Sequence, residues 1–536
     1  MNPIDYLNQP YHAKRISAVA NKGMVATSQP LASQAGLDIL KKGGNAVDAA
    51  IATAATLTVV EPTSNGIGSD AFALVWIKDK LYGLNASGSS PASISIDAVK
   101  QRGHEEIPTY GFIPVTVPGA PGAWAELSRR FGKLPLKEVL APAIQYAEEG
   151  FPISPVLGKF WKAGYEKFKA SLHGDEFQAW FDIFAPAGRA PEIGEVWKSP
   201  GHADTLIKIA ETNAKAFYNG EIADKIDEFS RRYNGFIRKE DLENYEPQWV
   251  DPISINYRGY DVWEIPPNGH GIVALSALNI MKGFKVNSKE ETDTYHKQIE
   301  AMKLAYADGQ HYVADPDYMK VTVEQLLSES YAETRRKLIS EKALTPEPGT
   351  PPKGGTVYLA AADNEGNMVS FIQSNYMGFG SGLVVPGTGV SLQNRGHNFS
   401  MEEGHANSLQ GNKRSYHTII PGFLTKDTEA VGPFGVMGGF MQPQGHMQVI
   451  MNTIDFQLNP QAALDSPRWQ WMKDKTVWVE PGFPSHIAEE LRRKGHDVHV
   501  QLETGAFGRG QIIWRDDKGT LYGGTESRTD GTISAY

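Results

Sequence analysis

Gly354-Gly355-Thr356-Val357-Tyr358-Leu359-Ala360-Ala361-Ala362-Asp363 is the stretch that decides how this chain folds. A Pro- and Gly-rich run over 345–355 stops at Thr356, where a strand-like segment begins. The turn Asn364-Glu365-Gly366-Asn367 follows, and then a second strand-like run, 368–374. The pattern predicts a β-hairpin opening at Thr356. Were the chain cut between Gly355 and Thr356, that residue would carry a hydroxyl nucleophile and, in its free α-amine, the base that activates it. A Pro/Gly-rich run ahead of a strand also reads as a plain linker, so the junction needs support from elsewhere.

Upstream, Leu31, Ala35 and Ile39 share one face of a helix over 31–42 that Gly43-Gly44 ends. Asn45 is placed to cap a second helix, with Asp48 at its third position. That helix, 46–58, is apolar nearly all round and is expected to be fully buried. The runs 71–77 and 81–84 flank a Lys78-Asp79-Lys80 turn. From Gly119 to about Ser340 the pattern is mainly helical. The chain is therefore expected to divide into a helix-rich 1–355 that also contributes to the sheets and a strand-rich 356–536, the two together forming one unit.

Composition narrows the function. The 536 residues hold 41% apolar side chains and a net charge of −10, which argues against a nucleic-acid or anionic-membrane surface. With no cysteine, thiolate catalysis, disulfides and cysteine-ligated metals are excluded. The 14 histidines look scattered rather than set at ligand spacing, so neither a metal nor an organic cofactor is expected. No signal peptide is evident around 16–20, where His12, Lys14, Arg15 and Lys22 flank a short apolar run, and no run could span a bilayer; a cytoplasmic protein is expected. There is no Gly-x-x-x-x-Gly-Lys-[Ser/Thr] loop and no Gly-x-Ser-x-Gly elbow. The glycine-rich runs 378–382 and 505–510 read as tight loops near a site or the core. Gly438-Gly439 offers adjacent backbone N–H groups of the kind an oxyanion hole uses, though a Gly-Gly pair alone also reads as a turn.

Together these motifs resemble the γ-glutamyltranspeptidase family of N-terminal-nucleophile hydrolases. The resemblance rests on 30–36, 43–50, 60–62, 117–122, 131–134 and 301–308 before the junction, and on 379–382, 386–389, 412–414 and 437–439 after it. It implies an α+β fold, a four-layer αββα sandwich, and a precursor that cleaves itself between Gly355 and Thr356 into a large and a small subunit that stay together. It also implies that Thr356 takes up the acyl group, that Ser374 positions the nucleophile, and that Gly438 and Gly439 hold the oxyanion.

The chain departs from the family pattern where substrate is recognised. Ser87, in a segment that also holds Ser89, stands where the transpeptidases carry the arginine for the α-carboxylate. Asn398 stands for the aspartate that receives the α-amine, His417-Thr418 for a serine pair, and Tyr376 for an asparagine. Arg395 is the candidate anchor for a substrate carboxylate, with a structural arginine paired to a neighbouring acid as the other reading. The pattern is closest to the acylase-like members that lack a lid loop. A γ-glutamyl hydrolase acting on compounds such as glutathione is the leading expectation. A glutaryl-type cephalosporin acylase and a catalytically dead ligand-binding relative are the alternatives. A small-molecule amide is the expected partner, with a homo-oligomer of the processed pair left open.

Overall fold

A computed structural model describes Tyr11, residues 15–346 and residues 355–536. His12, Lys14 and most of the Pro/Gly-rich run ahead of the junction lie outside the described residues.

Two seven-stranded sheets lie face to face. One runs Thr532–Ala535, Gly23–Thr27, Gly355–Asp363, Met368–Tyr376, Asp70–Ile77, Lys80–Ala86, Gln248–Val250 from edge to edge. The other runs Ala18–Ala20, Leu521–Thr525, Arg509–Arg515, Glu429–Met437, Gly422–Lys426, Tyr260–Glu264, Ile253–Tyr257. Between them lies an apolar layer that includes Met24, Phe72, Leu74, Tyr358, Ile372, Phe423, Met437 and Ile513. Helices cover both outer faces. Pro30–Lys41 and Ala46–Val60 pack on the first sheet, with Leu136–Glu149 outside them against Ala46–Val60. Gly271–Lys282 and Gln442–Ile454 pack on the second, with Thr292–Tyr312 outside them against Gly271–Lys282. This is the four-layer αββα sandwich, in which each sheet buries both faces.

The hairpin expected after the junction is present. It pairs Gly355–Asp363 with Met368–Tyr376, and Asp363 Oδ1 accepts the Glu365 (2.9 Å) and Asn367 (3.0 Å) amides to close the turn. The same carboxylate reaches the helical layer, because its Oδ2 accepts the Ala46 amide at 2.8 Å. The expected capping box also forms: Asn45 Oδ1 accepts from Val47 and Asp48 amides, and Asp48 Oδ2 accepts the Asn45 amide, all at 3.0 Å. The helix it starts, Ala46–Val60, is buried at every position. The Ala46 amide thus fastens that helix to the turn of the hairpin.

The strands that the first part contributes pair directly with strands from after the junction: Gly23–Thr27 with Gly355–Asp363, Asp70–Ile77 with Met368–Tyr376, and Tyr260–Glu264 with Gly422–Lys426. A central strand needs a hydrogen-bonding neighbour on each side, and here the two parts supply each other's neighbours. The short strands between 248 and 264 escaped the sequence pattern because only two or three alternating apolar residues mark each of them. Among the described residues no helix is long and apolar enough to cross a membrane.

Asn45→Ala removes the acceptor for two helix N–H groups and a 2.7 Å bond from Nδ2 to the Phe131 carbonyl. It should lower stability by about 1–2 kcal/mol in urea unfolding. A midpoint equal to the parent's would show that the cap contributes nothing.

Candidate active site

Three adjacent strands of the first sheet bring one polar residue each to the same place. In Asp70–Ile77 the side chains of Phe72, Leu74 and Trp76 enter the inter-sheet layer, as do Met368 and Ile372 of the next strand and Tyr358, Ala360 and Ala362 of the third. Alternation along a strand then turns Asp70, Ser374 and Thr356 the same way, just beyond the last apolar side chains. Ser374 is paired in register with Asp70. Thr356 Oγ1 lies 3.0 Å from Ser374 Oγ, and both residues are buried. The ladder slips between the pairs Gly355–Tyr376 and Val357–Gln373, and Tyr376 takes φ +74°. That irregularity lets the Tyr376 amide turn in and donate to Ser374 Oγ at 2.8 Å. A bulge at the end of a strand is a common way of re-aiming a side chain at a reactive centre.

The second sheet contributes Gly438 and Gly439, which follow Met437 of the inter-sheet layer. Their φ values, +139° and +58°, fall in the left-handed region that favours glycine. A short 3₁₀ turn, Gly439–Met441, leads directly into the helix Gln442–Ile454, so the pair sits at the positive end of a helix dipole. The 505–510 loop packs on it: a Cβ on Gly438 would come within 3.0 Å of Gly508 Cα.

Arg395 is wholly buried on the Asp70 side. Its Nε donates to Asp70 Oδ2 at 3.2 Å, Nη1 donates to Thr418 Oγ1 at 2.7 Å, and its guanidinium lies 4.5 Å above the Tyr376 ring. Of the two sequence readings of this arginine, the pairing with a neighbouring acid is present. Among the described residues neither its Nη2 nor Asp70 Oδ1 has a hydrogen-bond partner. His417 Nε2 donates to Asp70 Oδ2 at 3.0 Å. Burial, helped by the Arg395 charge, pushes the His417 imidazole down to about 4, so it is neutral near pH 7 and Asp70 has Arg395 as its one charged partner there.

The other expected binding residues divide. Tyr376 donates its hydroxyl to Asn398 Oδ1 at 2.6 Å, and Asn398 Nδ2 donates to the Tyr416 carbonyl at 3.1 Å. Asn398 is thus held by internal bonds on both ends of its amide. Ser87 donates to Asn85 Oδ1 at 2.7 Å, and the Asn268 backbone carbonyl accepts the His417 amide at 2.8 Å beside it. Ser89 is half-buried, and among the described residues no hydrogen bond ties its side chain to Thr356, Asp70 or Arg395. Asp70 and Asn268 were not foreseen. Asp70 had a signal: it is a carboxylate opening an otherwise apolar strand, and a buried charge demands a partner. Asn268 had none.

Among the described residues, one group gathers side chains of metal-ligating type. His296, Glu300 and His496 place ligand atoms within 4.8 Å of one another, which corrects the impression of scattered histidines. They lie beside Lys303, away from Thr356, and their bonding is taken up below.

The gamma-glutamyltranspeptidase family model matches residues 32–536. The chain belongs to that family. Relatives include a glutathione hydrolase-like YwrD proenzyme of Bacillus subtilis, 35% identical over 96% of this chain and 98% of that protein. An oxamate amidohydrolase proenzyme of Klebsiella pneumoniae is 32% identical over 97% and 99%. Among solved structures, a cephalosporin acylase from Bacillus halodurans superposes with a TM-score of 0.96 at 66% identity, covering 99% of each chain. The protein is thus an enzyme of a family whose members include proteins named as glutathione hydrolases and acylases, and its αββα sandwich is theirs.

Gly438→Ala must push a methyl into Gly508 and strain the backbone at φ +139°. We expect kcat to fall by at least about a hundredfold with far-UV circular dichroism unchanged, the scale of losing one oxyanion donor. Parent-like turnover would remove Gly438 from the site.

Proposed function

We propose that this chain is the precursor of an N-terminal-threonine amidohydrolase that cuts its own Gly355–Thr356 bond and then hydrolyses γ-glutamyl amides of the glutathione class. Thr356 Oγ attacks the Gly355 carbonyl, the C–N bond breaks, and the acyl group passes from nitrogen to oxygen as an ester. Water hydrolyses that ester, leaving a carboxylate on Gly355 and a free amine on Thr356. The amine, with a pKa of roughly 8, takes the hydroxyl proton in the second reaction. Thr356 then receives the substrate acyl group, the Gly438 and Gly439 N–H groups hold the oxyanion, and water releases the acid. Residues 1–355 and 356–536 become the two subunits.

The observation that carries the substrate assignment is the pair of unused atoms on Arg395 and Asp70. Nη2 is a cationic donor and Oδ1 an anionic acceptor, both buried, on the two partners of one ion pair that is neutral as a whole. An amino-acid head is zwitterionic and matches both. Its carboxylate meets Nη2 and its ammonium meets Oδ1, and no uncompensated charge is buried. Two strand spacings separate Thr356 from Asp70, about 10 Å, which a four-carbon acyl arm with its hydrogen bonds spans. In this reading the charges missing at Ser87 and Asn398 are supplied from Arg395 and Asp70 instead.

A glutaryl-type amide is the second reading, favoured by the similarity to the cephalosporin acylase and by the neutral Asn398. It would satisfy Nη2 but leave Oδ1 facing an apolar chain and bring a net negative charge into the site.

The two are separated by kcat/KM on γ-glutamyl and glutaryl anilides. We expect γ-glutamyl to be preferred, and Asp70→Asn to lower its kcat/KM by about ten- to a hundredfold while affecting the glutaryl donor less. Arg395→Ala should weaken both. A parent that prefers glutaryl, with Asp70→Asn falling equally on both donors, would move the assignment to the acylase reading.

A further inference from the structure

The helix Thr292–Tyr312 presents His296, Glu300 and Lys303 at spacings of four and three, hence on one face. His496, which follows the helix Ser485–Arg493 near the other end of the chain, meets them. All four side chains are at most 3% exposed. None of them belongs to the site around Thr356.

The hydrogen bonds of this cluster have one consistent direction. The Ser340 carbonyl can only accept, so His296 Nε2 carries a proton and donates to it at 2.7 Å. A neutral His296 then has Nδ1 free to accept, and His496 Nε2 donates to it at 2.8 Å. That leaves His496 Nδ1 as an acceptor, 3.5 Å from the Lys303 ammonium. Lys303 Nζ donates to Glu300 Oε1 at 2.7 Å and to the Leu344 carbonyl at 3.0 Å, while Glu300 Oε2 accepts the Leu344 amide at 2.9 Å. Burial and the neighbouring Lys303 push His496 down to about 2, and burial lowers His296 as well, so both stay neutral and the chain of bonds keeps its sense.

Two features argue against a metal here. Both His296 nitrogens are in use, and Lys303 already serves as the cation for Glu300. What the cluster holds is backbone: the Ser340 carbonyl and both the amide and carbonyl of Leu344. From the other side, the Ala343 amide donates to the Lys494 carbonyl at 2.8 Å and Lys342 Nζ donates to the Arg493 carbonyl at 3.1 Å. Segment 340–344 is therefore gripped between a helix that precedes the Gly355–Thr356 bond and a turn that follows it.

We propose that His296, Glu300, Lys303 and His496 form a buried clamp that fastens the end of the upstream chain, at 340–344, to the downstream chain, so that the two stay joined there once the peptide bond between them is cut. The proposal rests on the processing reading above for its consequence, and on the geometry alone for the grip.

Hydrogen exchange on the whole purified protein, read over peptides spanning 338–346, tests it, with a denaturing gel run on the same sample. The Ala343 and Leu344 amides should exchange at least about a hundredfold more slowly than unstructured amides, in the cut parent and in an uncut Thr356→Ala precursor alike. Glu300→Gln keeps the side chain's shape but removes the countercharge of Lys303, and should speed exchange at Leu344 by about tenfold or more. Unprotected amides in the cut parent would overturn the clamp, and so would parent-like protection in a folded Glu300→Gln. A single band on the gel would defeat the processing reading alone, and the exchange rates would still decide whether 340–344 is held.

Discussion

The pairing of Gly355–Asp363 into the middle of a sheet is the constraint from which the rest of the molecule follows. Met368–Tyr376 pairs with that strand from Gly355 onward, and Gly23–Thr27 pairs with its second half, Leu359–Asp363, so its first residues are tied to the sheet through the hairpin partner. Thr356 is thereby fixed at the point where the apolar layer between the sheets ends and a polar row begins. Ser374 and Asp70 extend the row strand by strand, and Gly438 and Gly439 follow Met437 at the end of a strand of the facing sheet. Sites built on strands hold their geometry more tightly than sites built on loops.

Desolvation sets the electrostatics of the row. Asp70 is buried and must be compensated, and Arg395 does so, itself buried and held by Asp70, Thr418 and the Tyr376 ring. A buried ion pair of this kind contributes little to stability, since removing two charges from water costs about what their attraction returns. Its value lies in geometry. It leaves one donor and one acceptor unbonded in a fixed orientation, and such unpaired buried groups are costly unless a ligand meets them.

Much of this was legible in the chain. The junction at Thr356, the Asn45–Asp48 cap, the buried helix after it and the glycine pair at 438–439 are local signals, written in a few consecutive residues. Arg395 was legible as a candidate but its partner was not, because Asp70 lies 325 positions away and only the sheet brings the two together. Asn398 looked like a substrate contact by its place in the sequence, yet its amide is engaged by Tyr376 and Tyr416. The interleaving of strands from the two sides of the junction was invisible for the same reason: hydrogen bonding between strands is non-local, and short strands such as Gln248–Val250 carry almost no pattern of their own. His296 and His496 show the limit plainly, 200 positions apart in sequence and 2.8 Å apart in space.

In the proposed mechanism one hydroxyl, on Thr356, serves both self-cleavage and turnover. Intact-mass measurement combined with N-terminal sequencing of the purified parent and of Thr356→Ala separates this from any other cleavage. The parent should consist of two chains, the smaller beginning at Thr356, and Thr356→Ala should stay a single inactive chain of 536 residues. A smaller chain that begins at any other residue, or a Thr356→Ala protein that is cut or turns over substrate, would contradict it.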